Sequence, residues 1–428
     1  MVVAAFGASD GPSPAVGASA TRPVNAMQPA PTSEPREAPR SGRARRGVRD
    51  DLLDPDVDLV EVARTADTDG VPGTRVAAQR VAPTPDGIGA AYRVLYRSTS
   101  LDGRPIVVSG VVYVPRGQPP RGGWPLVSWA RGTSGTADRC APSRWVGTDL
   151  VPITLAQQGI VAAATDYEGL GTPGVHPYLV GDSEGRSVLD IVGAVDGLPD
   201  VEVRREFAVW GHSQGGHAAL FARELAGERI TGRRLAATVA IAPPSFIPQA
   251  VDAWATKVRA KGLGIMALAG IEAAYPEARL DDIVQPAHLA AVRDAVEDGC
   301  TDDISRRFAE VDGADLFVAD PTHREPWARL LHEQEPAQRP GTGPVLLVQG
   351  ALDGTLPPEM SEAVEAQMCA RGEPVTRWLL PDAGHGEAIA SAWDHMVRWT
   401  TDHLDPATPS AVNAATTCGD PVDAPPAG

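Results

Sequence analysis

The sequence predicts an α/β fold: a mostly parallel central sheet covered by helices on both faces, with a helical cap inserted late in the chain. Three observations carry this reading. Short β-branched runs alternate with segments of helical periodicity from residue 92 to 241 and again from 344 to 403. One of those runs, Phe-Ala-Val-Trp at 207–210, leads without a break into Gly211-His212-Ser213-Gln214-Gly215 and then into a helix. Between 244 and 340 the alternation stops, and the chain turns helical over a stretch too long for a loop. Strands alternating with helices imply right-handed crossovers, hence a parallel sheet covered on both sides. The expected divisions are a leader over 1–50, a first part of the core over 51–243, the cap over 244–340, a second part of the core over 341–405 and a tail over 406–428.

The elements follow in order. Residues 1–50 are Ala, Pro, Ser, Gly and Arg with few large apolar side chains, so they cannot offset their ordering entropy. Within them VVAAFGA at 2–8 resembles the end of a signal-peptide core, and Ala18-Ser19-Ala20 fits a cleavage site, although no basic segment comes first. This favours an extracellular location. Runs at 92–96 and 106–114 are β-branched and bounded by Gly and Pro, as strands are. Further strands are expected at 124–129, 160–165, 207–210, 235–241, 344–349 and 376–380. Helices are expected at 150–158, 183–195, 215–225, 358–370 and 387–403, and the Pro/Ala-rich tail follows. The segment 263–271 is almost wholly apolar. Such a helix is either buried on all sides or lines an acyl channel, with Gly264 and Gly270 leaving room and Met266 as a flexible filler.

Composition narrows the function. The 428 residues are 43% hydrophobic and 22% charged, which suits one large globular domain with an insertion. A net charge of −17 with two lysines, Lys257 and Lys261, disfavours nucleic acid and anionic membrane as partners. No apolar run reaches membrane-spanning length, and no fixed-period repeat is visible. The sequence leaves the oligomeric state open, with a monomer as the starting expectation. The cysteines Cys140, Cys300, Cys369 and Cys418 stand far apart without a C-x-x-C pair, so no metal site is expected from them. Their even number points to two disulfides, against the alternative of four free thiols.

The chemistry converges on Ser213. Gly-x-Ser-x-Gly alone is a weak pattern, but a strand running into it and a helix out of it is the context that exposes a strained serine hydroxyl. That hydroxyl needs a base, and the base needs a carboxylate to hold its tautomer. On this architecture the chain order is serine, acid, histidine. His395 and His403 fall inside an amphipathic helix, whereas His385 sits in a loop just past a strand, at the sheet edge where Ser213 is expected. Asp353 follows the strand 344–349 at the same edge. Asp382 is its rival, although it stands so close to His385 in sequence that a turn-capping role fits it better. His212 and His217 flank the serine and are read as packing residues. Two donors must hold an oxyanion: the backbone N–H of Gln214, and one from the loop after 124–129, with Thr133 first and Ser134 or Gly135 as alternatives. In Asp166-Tyr167-Glu168, either Tyr167 or Glu168 touches substrate or, the preferred reading, Asp166 caps the turn.

The stretches GTSGTADRCAPS (132–143), DYEGLGTPGVHPYLVGDSEGRSVLD (166–190), GHSQGGHAAL (211–220), QGALDGTLP (349–357) and GHG (384–386) resemble the secretory lipase family, the fungal lipase-A type and its actinobacterial relatives, over roughly residues 75–418. The resemblance implies an α/β-hydrolase fold with a helical cap, ester hydrolysis without cofactor or metal, and a triad at Ser213, Asp353 and His385. It also implies disulfides Cys140–Cys300 and Cys369–Cys418. One departure stands out: relatives commonly carry His in the His-Gly-Thr-Thr-Gly loop where this chain has Arg131, which sets a fixed cation beside the oxyanion loop. The expected activity is serine ester hydrolysis of acylglycerols or similar small-molecule or lipid acyl esters. The rivals are a serine peptidase or acyltransferase on the same fold, and a catalytically silent lipid-binding protein.

Overall fold

The alternating pattern builds one eleven-stranded sheet among the described residues. The structure, a computed structural model, describes residues 52–256, 260–405, 418 and 422–423. The expected leader over 1–50, with its cleavage site, and most of the expected tail lie outside the described residues. The strands are β1 (Leu52–Leu53), β2 (Arg75–Arg80), β3 (Ala90–Thr99), β4 (Pro105–Val114), β5 (Trp124–Ala130), β6 (Val161–Thr165), β7 (Val203–His212), β8 (Arg234–Ile241), β9 (Val345–Gly350), β10 (Val375–Leu380) and β11 (Val422–Asp423). Their order is β1-β2-β3-β4-β6-β5-β7-β8-β9-β10-β11. Pairing is antiparallel from β2 through β3 and β4 to β6, and parallel from β6 through β5 to β11. Parallel strands all end on one edge, and the register makes those ends level. Ala130 lies opposite Gly211, His212 opposite Ile241, and Gly350 opposite Leu380.

Helices α1 (Leu59–Thr65), α2 (Leu150–Gln157), α3 (Gly181–Ala194) and α4 (Gln214–Arg229) precede β8. Between β8 and β9 the chain is helical: α5 (Ile247–Thr256), α6 (Lys261–Ala274), α7 (Pro286–Asp298), α8 (Thr301–Arg307), α9 (Gly313–Leu316) and α10 (Trp327–His332). Helices α11 (Pro358–Ala370) and α12 (Glu387–Leu404) alternate with the last strands. Val188, Val192, Ala218 and Ala222 of α3 and α4 pack on one sheet face, while Ile153 and Leu155 of α2 and Ala388, Ala392 and Met396 of α12 pack on the other. The helical segment between β8 and β9 has its own core, including Trp254, Leu268, Phe308 and Trp327. That core reaches Tyr178 before α3 and Leu356 before α11, so it joins the loops at the parallel strand ends.

In two strands, β2 and β7, polar residues are the reason that sequence and structure differ. Strand β2 (RVAAQR) carries buried Arg75 and Gln79 and does not read as a strand. Arg75 donates to the carbonyls of Ala194 and Asp196, and Gln79 to those of Asp54, Pro55 and Val57. Strand β7 begins at Val203, earlier than expected, because Arg204 and Arg205 disguise its start. The tail contributes β11 beside β10, where no strand was expected.

Helix α6 is enclosed: Ile265, Met266, Ala267, Leu268, Ala269 and Ile271 are all buried. The alternative in which Gly270 opens room for an acyl chain fails. A Cβ there would stand 2.3 Å from the carbonyl oxygen of Tyr178 and 2.5 Å from its nitrogen, so the glycine serves a close backbone approach. The two cystines are Cys140–Cys300 and Cys369–Cys418. The first joins the segment after β5 to the start of α8, and the second joins α11 to the tail.

Two stability predictions follow from this packing. Gly270→Ala should destabilise the fold by about 1–3 kcal/mol through overpacking against Tyr178, measured by urea denaturation. Replacing both Cys140 and Cys300 by serine opens a link spanning 160 residues, and in the same denaturation experiment the loss should be about 5 kcal/mol.

Candidate active site

Four apolar residues, Phe207 to Trp210, are wholly buried and commit β7 to the middle of the sheet. The chain then turns at Ser213, with φ 58° and ψ −124°, and enters α4 at Gln214. A positive φ costs a non-glycine residue about 1–3 kcal/mol and persists only where surroundings hold it. Here Ser213 N–H donates to Ile241 at 2.9 Å, while its carbonyl accepts from Gly216 at 2.8 Å and His217 at 3.2 Å. The flanking glycines are required by space. A Cβ on Gly211 would meet the Gly215 oxygen at 1.9 Å, and one on Gly215 would meet the Ala130 oxygen at 1.9 Å. The result is a serine at the amino end of α4, where the helix dipole is positive.

His385 lies in the loop after β10 and Asp353 in the loop after β9. The structure brings them together: His385 Nδ1 is 2.7 Å from Asp353 Oδ2. The other carboxylate oxygen accepts from the N–H groups of Thr355 at 2.9 Å and Leu356 at 2.8 Å. Burial alone would raise the Asp353 carboxyl, but the hydrogen bond and charge of His385 and those two amides outweigh it and hold it below its ordinary value. An accepting carboxylate requires the hydrogen on Nδ1 and leaves Nε2 as the basic nitrogen. Asp382 is exposed, and the imidazole pairs with Asp353 rather than with it. His395 and His403 both sit on α12, the first against Trp378 and the second bonded to the Trp399 carbonyl.

His212 links the serine to this pair. Its ring lies 4.5 Å from that of His385, and its Nε2 is 2.9 Å from the His385 carbonyl. Burial first, and the neighbouring His385 second, push its imidazole down to about 3, so it stays neutral and Nε2–H donates. The sequence alone reads His212 as a packing residue; the structure gives it this hydrogen bond, and its place next to the serine is the one signal that points to it. Among the described residues no hydrogen bond joins the Ser213 hydroxyl to His385. Such contacts tighten when substrate binds.

The loop after β5 passes over the serine: a Cβ on Gly132 would stand 3.5 Å from His212 Nδ1 and 3.9 Å from Ser213 Cβ. Thr133 Oγ1 is 3.0 Å from the Tyr178 hydroxyl. Past it the loop is pinned to the α7–α8 junction. Thr136 N–H donates to Gly299, Thr301 N–H to Ser134, and Cys140 is bonded to Cys300. Arg131 does not point its charge at the serine turn. Its guanidinium is buried, paired with Asp149 and 3.9 Å from Asp166. Asp166 accepts from Ser143 N–H and Ser109 Oγ, so it ties distant loops together rather than capping its own turn, where the Tyr167 N–H donates instead to Thr165 Oγ1. Burial pushes the Asp166 carboxyl up against the pull of Arg131 and these donors. Tyr167 donates to the Arg131 carbonyl, and Glu168 accepts from Ser183, so both are engaged within the rim.

Behind the serine lie residues that the sequence did not single out. Glu184, His176 and Gln334 are buried and bonded to Gln214 and His217 at the start of α4. Among the described residues no group of three or more His, Cys, Asp or Glu side chains could hold a metal ion, and no helix is long and apolar enough to cross a membrane. The assembled groups are a hydroxyl at a strained turn, a buried carboxylate paired with a half-buried imidazole at the same edge, and main-chain N–H groups around the serine. That set can carry acyl transfer.

Comparison with known proteins agrees with this architecture. Candida antarctica lipase A superposes with a TM-score of 0.69 at 18% identity, covering 83% of this chain and 86% of that one. The rice cell wall degrading esterase LipA from Xanthomonas oryzae gives 0.64 at 22% identity, covering 78% and 97%. A putative hydrolase from Legionella pneumophila gives 0.63 at 18% identity, covering 74% and 90%. At these identities the likeness speaks for the fold, which is the α/β-hydrolase fold. No curated protein matches in sequence. The family model described as secretory lipase matches residues 145–410, more than half of the chain. With that match, the chain belongs to the secretory lipase family.

Proposed function

We propose that the protein is a serine carboxylic ester hydrolase. The observation that carries this is the 2.7 Å hydrogen bond between His385 and buried Asp353, held beside the strained turn of Ser213. Ser213 Oγ attacks the ester carbonyl while His385 Nε2 takes its proton, and Asp353 holds the imidazole and steadies the imidazolium. The N–H groups of Gln214 and Thr133 stabilise the oxyanion. Collapse expels the alcohol, which takes the proton from His385 and leaves an acyl group on Ser213. Water then attacks the acyl-enzyme, giving its proton to His385, and the acid departs as Ser213 regains its hydrogen. No step calls for a cofactor.

The rim supports acyl esters, acylglycerols among them, as the substrate class. Trp145 (62% exposed), Leu150, Val175, Phe246 and Leu352 (67% exposed) lie on segments that follow β5, β6, β8 and β9. These are the segments leaving the edge where Ser213 and His385 stand. Apolar side chains there favour an apolar acyl or alcohol group. Family membership and the two disulfides support an extracellular site of action.

Ser213→Ala and His385→Ala should each fold and lose about 10⁴-fold or more in kcat, Asp353→Ala less, with non-additive combinations. Retained turnover in Ser213→Ala, or an Asp382→Asn variant as slow as Asp353→Asn, would refute the assignment. A fluorophosphonate probe should label Ser213, which a silent binding protein would not allow. On chromogenic esters of two to sixteen carbons, kcat/KM should rise over the first several carbons, as about 0.8 kcal/mol per buried methylene requires. A flat profile, or faster cleavage of matched amides, would redirect the substrate assignment.

A further inference from the structure

The mechanism leaves one wholly buried carboxylate unused. Glu184, in the first turn of α3, is fully buried behind the serine turn. Its Oε1 accepts from Leu179 N–H at 2.9 Å and from Gln214 Nε2 at 2.8 Å, and its Oε2 lies 3.1 Å from His217 Nδ1. Gln214 opens α4, and His217 follows in the same turn. One carboxylate therefore holds both ends of the turn that begins at Ser213.

The partners determine where the hydrogens sit. His217 Nε2 is 2.8 Å from the Gln334 carbonyl, which can only accept, so Nε2 carries a hydrogen. Nδ1 faces Glu184 Oε2, and two lone pairs cannot face each other at that distance, so a second hydrogen lies between them. The pair is either imidazolium with carboxylate or imidazole with carboxylic acid. Both forms are neutral overall, as complete burial demands. His176 is determined in the same way. Its Nδ1 is 2.9 Å from the Glu168 carbonyl and donates, leaving Nε2 as an acceptor. Gln214 Nε2, 2.9 Å away, gives one hydrogen there and the other to Glu184. Every hydrogen of the Gln214 amide is thus committed.

We propose that Glu184, sharing one proton with His217 and holding the Gln214 side chain, is a positioning residue that aims the Gln214 main-chain N–H at the oxyanion. The proposal rests on the reading of Ser213 as nucleophile. The side chain of Gln214 points away from the reacting atoms and is tied by two hydrogen bonds. Rotation of its peptide, which carries the proposed oxyanion donor, would strain both bonds. His217 extends the same hold to Gln334, beyond α10.

The test uses the full chain with Glu184→Ala, Glu184→Gln and Gln214→Met, a soluble butyrate ester, and melting temperatures for each variant. Glu184→Ala and Gln214→Met should lower kcat about 10- to 100-fold at nearly constant KM, the scale expected for a misplaced oxyanion donor. Glu184→Gln can still accept from Gln214 while donating to neutral His217, so it should recover most of that loss. In a ¹⁵N-histidine NMR sample, His217 Nε2 should carry a hydrogen. A folded Gln214→Met with wild-type kcat, a folded Glu184→Gln as slow as Glu184→Ala, or an unprotonated Nε2 would each overturn the proposal. Should Glu184→Ala fail to fold, Gln214→Met and Glu184→Gln decide the matter. A failure of the underlying reading looks different, because Ser213→Ala would then keep its turnover.

Discussion

Everything at the candidate site depends on how closely three pieces of backbone meet beneath Ser213. The end of β5 at Ala130, the end of β7 at Gly211 and the start of α4 at Gly215 approach so tightly that no Cβ fits at either glycine. This contact lets β7 turn directly into α4 and forces Ser213 to a positive φ. Parallel pairing on both sides of β7 then brings the segments after β5, β9 and β10 to the same edge.

Around this point the buried polar groups are arranged in layers that satisfy one another. In front, Asp353 is bonded by His385 and two amides, and His212 holds the carbonyl of His385. Behind, Glu184 collects Leu179, Gln214 and His217. To one side, Arg131 lies with Asp149 and Asp166. Each layer contains an ionisable group that would be costly alone. Pairing turns these groups into fasteners between loops distant in sequence.

The helical segment between β8 and β9 is fastened to the same edge. The Cys140–Cys300 bond and the hydrogen bonds of Thr136 and Thr301 join the loop over the serine to the α7–α8 junction. Tyr178 packs its backbone against Gly270 of α6 and sets its hydroxyl beside Thr133. Movement of this segment would therefore be felt at the loop proposed to hold the oxyanion.

Much of this was legible in the sequence. Hydrophobic runs marked most central strands because strands buried on both faces, as at 106–114 and 235–241, need little beyond apolar β-branched residues. The serine turn was legible because glycine spacing around it reflects a local steric demand. Chain order and loop placement singled out His385 and favoured Asp353, but left Asp382 as a rival. Only the folded structure gave the imidazole its hydrogen-bond partner, since that choice depends on where two separate loops meet. The same is true of β2, whose Arg75 and Gln79 look misplaced until their carbonyl partners come into contact. It is true of Gly270, which reads as empty space until Tyr178 fills it, and of Glu184, which reads as one more helix-surface acid. Local sterics and periodicity are written along the chain. The pairing of buried polar groups across 30 to 160 residues is set by the tertiary fold alone, because neither partner's sequence neighbourhood contains the other.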